Sequence, residues 1–119
     1  MKSVSMKQMR TATIALFAAV AAAGAAQAAE YDLVVDDATV RVAGRTAEGM
    51  TVNGSVPGPL LRFREGEEAV IHVRNDSRAR TSIHWHGLIV PPEMDGTPGL
   101  SGFAGVAPGE SFTYRFTPQ

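Results

Sequence analysis

The 119-residue sequence is 45% hydrophobic and 19% charged, with a formal net charge of −1 and no cysteine. One small domain is the ceiling for such a length, and the missing thiols exclude a disulfide framework and any thiolate ligand for zinc, iron–sulfur or blue copper. The arginines are scattered rather than clustered, so no basic stripe is offered to nucleic acid.

The chain opens with Lys2, Lys7 and Arg10 ahead of an uncharged, alanine-rich run, Thr11 to Gly24, and a small-x-small end, Ala26-Gln27-Ala28. A basic head, an apolar stretch and such an end make a cleavable secretory signal. The 14 residues of the run fall short of the ~20 that cross a bilayer. Cleavage is expected after Ala28, giving a signal over residues 1–28 and a mature domain over residues 29–119, with no membrane span after signal removal. All lysines leave with the signal, and eight arginines then face twelve acidic residues, a net of −4.

Beyond the signal, short apolar alternations are separated by Gly, Pro and Asn clusters, and no window of helical length keeps a 3.6-residue period, so the chain is read as all-β. Tyr31 to Val35 and Thr39 to Ala43 are expected as strands around an Asp36-Asp37 turn. Met50 to Val52 runs into the turn Asn53-Gly54, and Pro57-Gly58-Pro59 forces an irregular corner. Leu60 to Arg64 and Glu68 to Asn75 flank Glu65-Gly66-Glu67 as a hairpin. In the second of these, Ala69, Ile71 and Val73 share the face expected to be core, while Val70, His72 and Arg74 share the other. Ser82 to Leu88 is the next expected strand. A long Pro/Gly-rich connection, 91–109, then leads to a last strand, Ser111 to Phe116; connections of that length are uncommon unless functional. The whole predicts an antiparallel sandwich or barrel.

The sharpest chemical feature is His84-Trp85-His86-Gly87. On an extended segment, residues two apart point to one side about 6.5 to 7 Å apart, so both imidazoles can share one metal or hold two neighbouring metals while Trp85 faces the other way as a packing anchor. Imidazole suits copper, zinc, iron and nickel alike. The residues after the pair narrow the choice. Leu88 stands where a His-x-His-x-Asp hydrolase has its acid, and Val90 and Pro91 stand where a cupin has its carboxylate. A third histidine for a carbonic-anhydrase-like zinc site could only be His72, which faces away from the core set and is read as solvated. Asp95 sits in Met94-Asp95-Gly96, good turn chemistry, and Met94 is read as gap filling.

Thr81-Ser-Ile-His-Trp-His-Gly-Leu-Ile-Val-Pro-Pro-Glu-Met-Asp-Gly-Thr-Pro-Gly-Leu-Ser101 and Ala107-Pro-Gly-Glu-Ser-Phe-Thr-Tyr-Arg-Phe116 together resemble the first cupredoxin (plastocyanin-like) domain of multicopper oxidases, most of all the CopA-type copper-resistance subgroup. Val52-Asn-Gly-Ser-Val-Pro-Gly-Pro59 and Glu65-Gly-Glu67 are similar to that domain's opening. The resemblance implies a cupredoxin-like Greek-key β-sandwich, incomplete at its C-terminal end, and copper as cofactor. It implies His84 as a ligand of the type 2 copper and His86 as a ligand of the type 3 pair, in a trinuclear cluster that reduces dioxygen to water. Asp95 matches an acid that assists proton delivery there. The complete enzyme would oxidise Cu(I) or phenol-like donors, with the remaining cupredoxin domains of the parent oxidase as partners. This chain has no cysteine for a type 1 copper and only the first His-x-His motif, so on its own it is expected to be inactive. CopA-type proteins carry a twin-arginine signal; the lone Arg10 points instead to Sec export to the periplasm. The alternative reading is a non-enzymatic periplasmic copper-binding or copper-buffering module.

Overall fold

The computed structural model describes residues 28–119, so the expected export signal lies, but for Ala28, outside the described residues. Four strands form one sheet: β1 (Ala29–Val42), β2 (Arg45–Val52), β3 (Ala69–Asn75) and β4 (Ser111–Phe116), in the order β2-β1-β3-β4. The all-β class holds. The sheet is mixed rather than purely antiparallel, because β1 and β3 run parallel from Ala29↔Ala69 to Val35↔Asn75.

The turn expected at Asp36-Asp37 is absent, and β1 runs straight through it. Both acids find partners within the extended strand. Asp36 pairs with Thr51, whose hydroxyl donates to the Asp36 carbonyl at 3.1 Å. Asp37 accepts the Arg78 backbone N–H at 2.8 Å and its guanidinium Nε–H at 3.0 Å. The chain instead reverses at Ala43-Gly44, both at positive φ, the geometry a tight two-residue hairpin requires.

Successive residues alternate faces, and one face is the core: Leu33 and Val35 from β1, Ala69, Ile71 and Val73 from β3, and Tyr114 and Phe116 from β4 are all buried. The expected core triplet on β3 is therefore correct. On the reverse face, Val70 is buried as well, whereas Arg74 is exposed. His72 is half-buried there and tied to both neighbouring strands, with Nδ1 2.9 Å from the Thr113 hydroxyl and Nε2 3.0 Å from the Glu30 carboxylate.

Two expected strands, 60–64 and 82–88, join no ladder. Both lie against the core as unpaired chain, the second turning at His86-Gly87, where the Leu88 N–H donates to the Trp85 carbonyl at 3.1 Å, and in each a tyrosine hydroxyl takes the place of a neighbouring strand. Tyr31 Oη donates to the Arg62 carbonyl and accepts the Arg62 N–H, each at 2.9 Å, which seats Leu61 and Phe63 against the core. Tyr114 Oη accepts the Ile83 N–H at 3.1 Å. Trp85 then stacks on Tyr114 at 5.5 Å, Phe116 at 4.9 Å and Phe63 at 6.1 Å between ring centroids. Aromatic pairs in such tilted and edge-on arrangements add to area burial, so Trp85 is the anchor that lays the 82–88 segment on the sheet.

Candidate metal centre

Alternation survives from Ile83 to His86 without the ladder, up to the turn at His86-Gly87. Ile83 and Trp85 pack inward, and His84 and His86 are exposed on the outer side. Their ring centroids are 5.6 Å apart with planes at 75°. The expectation that the two imidazoles lean to one side is met, and its cause is the inward pull of Trp85 rather than strand pairing.

The connection after the pair folds back onto it. Two short 3-10 turns, Pro92–Met94 and Leu100–Gly102, shape it, and between them Asp95, Gly96 and Thr97 come against His84. The Asp95 carbonyl oxygen lies 2.9 Å from His84 Nδ1, an Asp95 carboxylate oxygen 3.3 Å from it, and the Thr97 hydroxyl 3.4 Å from it. A carbonyl can only accept, so Nδ1 carries the hydrogen, and the neutral ring is left with its lone pair on Nε2. A metal-binding histidine is oriented in this way, with one ring N–H given to a carbonyl or carboxylate and the other nitrogen free for the metal.

Asp95 itself is held below the usual carboxylate range, first by the hydrogen bond from the Thr97 side chain, then by the nearby His84 ring, with partial desolvation acting against them. It is ionised at neutral pH.

Of the residues expected to matter, the fold brings together His84, His86 and Asp95. His72 stands apart, because it lies on the face of the sheet opposite the Ile71–Trp85 core. Met94 is half-buried against that core, and its sulfur accepts the Arg115 N–H at 3.4 Å, which agrees with gap filling. Thr97 and Tyr114 lie inside the two stretches that carry the resemblance, but the sequence reading gives neither a role of its own. The parity of β4 does place Tyr114 inward, and a buried phenol needs a hydrogen-bond partner; that is the one signal the sequence holds for it.

Among the described residues, no group of three or more His, Cys, Asp or Glu is placed to hold a metal ion. The donor set nevertheless fits copper as a half-site, since it offers two neighbouring exposed imidazoles, one of them with Nδ1 engaged by the Asp95 carbonyl and Nε2 left for a metal.

Comparison with known proteins gives the same direction. Residues 34–119 match the family described as Multicopper oxidase. Copper resistance protein A of Pseudomonas syringae pv. tomato is 51% identical over 90 residues, covering 76% of this chain and 15% of the relative. Copper resistance protein A of Escherichia coli is 42% identical over 94 residues, covering 79% and 15%. The chain thus spans about 15% of the length of these curated relatives. Among solved structures, a multi-copper oxidase from Pseudomonas thermotolerans superposes with a TM-score of 0.71 at 35% identity, covering 78% of this chain and 23% of that one. The blue copper oxidase from Nitrosomonas europaea gives 0.70 at 32% identity, covering 76% and 29%. With a family match over most of its length and a cupredoxin-domain fold to accompany it, the chain belongs to the multicopper oxidase family, whose cofactor is copper.

Proposed function

We propose that this chain contributes His84 to a type 2 copper and His86 to a type 3 copper of an exported copper-resistance oxidase. In the complete enzyme, one-electron oxidation of Cu(I) or phenol-like donors is coupled to reduction of dioxygen to water. The observation that carries the reading is the pairing of two exposed imidazoles at 5.6 Å with His84 Nδ1 tied to Asp95.

Bound copper would supply the one-electron redox chemistry. The chain's own residues do the rest. Trp85 fixes the segment, the Asp95 carbonyl holds the His84 ring, and the Asp95 carboxylate, ionised and only partly buried, would accept and pass on a proton. Export through a signal cleaved after Ala28, to the periplasm, completes the proposal. It is supported by the basic, apolar and small-x-small order of residues 1–28. N-terminal sequencing of exported protein should read Ala29-Glu30-Tyr31.

Titration with Cu(II) tests the site. His84→Ala and His86→Ala should each abolish binding, and His72→Ala should leave it intact; a damaging His72→Ala would displace the site to the other face. Cu(II) should bind ahead of Zn(II) and without intense blue colour, since no thiolate is present. A copper-buffering module without turnover is the second reading, favoured by the lack of a third ligand near the pair among the described residues. Reading the gene past codon 119 separates the two, because further His-x-His motifs and a cysteine flanked by histidines belong only to the oxidase.

A further inference from the structure

We propose that Thr97 is a positioning residue of this site, its hydroxyl linking the Asp95 carboxylate to the Nδ1 edge of His84 so that acid and imidazole are held as one unit. The proposal rests on the reading of His84 as a copper ligand. It goes beyond that reading by assigning the orientation of the ligand to a hydroxyl in the Asp-Gly-Thr turn.

Three oxygens surround His84 Nδ1: the Asp95 carbonyl at 2.9 Å, the Asp95 carboxylate at 3.3 Å and the Thr97 hydroxyl at 3.4 Å. Only the carbonyl makes a bond of good length; the other two are long. The carboxylate would therefore be free to rotate toward solvent if nothing else held it. A hydroxyl has one proton to donate and two lone pairs. Because Nδ1 already carries a hydrogen, Thr97 faces it as an acceptor and has its own proton to give to the negatively charged Asp95, the stronger, charge-assisted bond. Thr97 is exposed, and its side chain adds nothing to the core. Its oxygen, rather than its methyl group, is what matters at this place.

Four variants of the full chain form a cycle: Thr97→Val, Thr97→Ser, Asp95→Ala, and Thr97→Val with Asp95→Ala. Two readouts are taken, Cu(II) affinity by titration and the His84 ring nitrogen shifts of the metal-free chain by NMR. Loss of a group that orients a metal-binding histidine costs about 10- to 100-fold in affinity. Thr97→Val should accordingly weaken Cu(II) binding by about tenfold and shift the His84 ring nitrogens, whereas Thr97→Ser should restore both. In the Asp95→Ala background Thr97→Val should add little, because the hydroxyl would have lost the group it acts through. Wild-type affinity and ring shifts in Thr97→Val overturn the proposal. So does an equal loss in both backgrounds, which would mark a general structural effect. If the ring shifts follow the cycle while His84→Ala still binds Cu(II), the positioning role stands and the ligand reading falls.

Discussion

Gly96 lies directly beneath the backbone of Ile83, so close that a Cβ on Gly96 would overlap the Ile83 carbonyl oxygen and stand 2.7 Å from its carbonyl carbon. This contact is what lets the Asp95–Thr97 turn reach the ring of the next residue, His84. Gly96 also has φ +79°, a region that side chains with a Cβ rarely adopt. The Asp-Gly dipeptide is therefore required twice over, once for backbone conformation and once for room.

Gly96→Ala should separate the turn from the His-x-His segment. Unfolding measurements should show a loss above the ~1 to 3 kcal/mol of local backbone strain alone, because the Ile83 backbone must also give way, and Cu(II) binding should fall because His84 Nδ1 loses its carbonyl partner. Retention of both stability and affinity would mean that the turn can be held at a distance without consequence.

Sequence alternation identifies which side chains of residues 82–88 turn inward, and Trp85, His84 and His86 all lie where it puts them. It predicts a strand there because a period of two reports on faces and not on whether a neighbour is within hydrogen-bonding reach. The neighbour is a tyrosine hydroxyl from residue 114, a contact of sequence separation 31 that no local pattern encodes. The same holds for residues 60–64 and Tyr31. The turn wrongly expected at Asp36-Asp37 has a related origin: two adjacent acids are poor strand formers taken alone, and their stabilising partners, Thr51 and Arg78, lie far along the chain. The paired histidines and Asp95 are legible because their motif is contiguous or nearly so. Thr97 is not, because its importance depends on the turn closing back on His84.

Acid stability should depend on Asp37 and Arg78. The Arg78 backbone N–H and then its guanidinium hold the Asp37 carboxyl below its ordinary range. A carboxyl with a lower pKa in the folded state than in the unfolded state stabilises the fold above about pH 4. That contribution is lost as the pH falls through the lowered folded-state value. Denaturation curves should therefore show Asp37→Asn less stable than wild type at neutral pH, with the difference shrinking as the solution is acidified. A difference that grew on acidification would contradict this sign.

Trp85 supplies the adhesion between the His84–His86 segment and the sheet. It is 7% exposed and touches Phe63, Tyr114 and Phe116, while its indole nitrogen has no hydrogen-bond partner, so its contribution comes from packing. Trp85→Ala should cost about 3 to 5 kcal/mol, a large share of what so small a domain has. Trp85→Phe should recover part of the loss, and because it removes an unpaired buried N–H the recovery should exceed that expected from ring size alone. Thermal unfolding of the two variants distinguishes packing from any polar role.

Tyr114→Phe isolates the hydrogen bond that substitutes for a strand. Tyr114 is fully buried, and burial pushes its phenol up from the ordinary value, so the hydroxyl stays protonated and its oxygen remains available to the Ile83 N–H throughout the neutral range. Phenylalanine preserves the ring contacts with Trp85 at 5.5 Å and Phe112 at 4.7 Å and deletes only the acceptor. The Ile83 N–H is then left unpaired at a half-buried position, which costs about 1 to 3 kcal/mol. Because Ile83 is the residue before His84, the loss should also be felt at the site, as weaker Cu(II) binding and faster hydrogen exchange at Ile83 with β3 and β4 unaffected. Should Tyr114→Phe leave exchange at Ile83 unchanged, Trp85 packing alone would be enough to hold the two imidazoles in place.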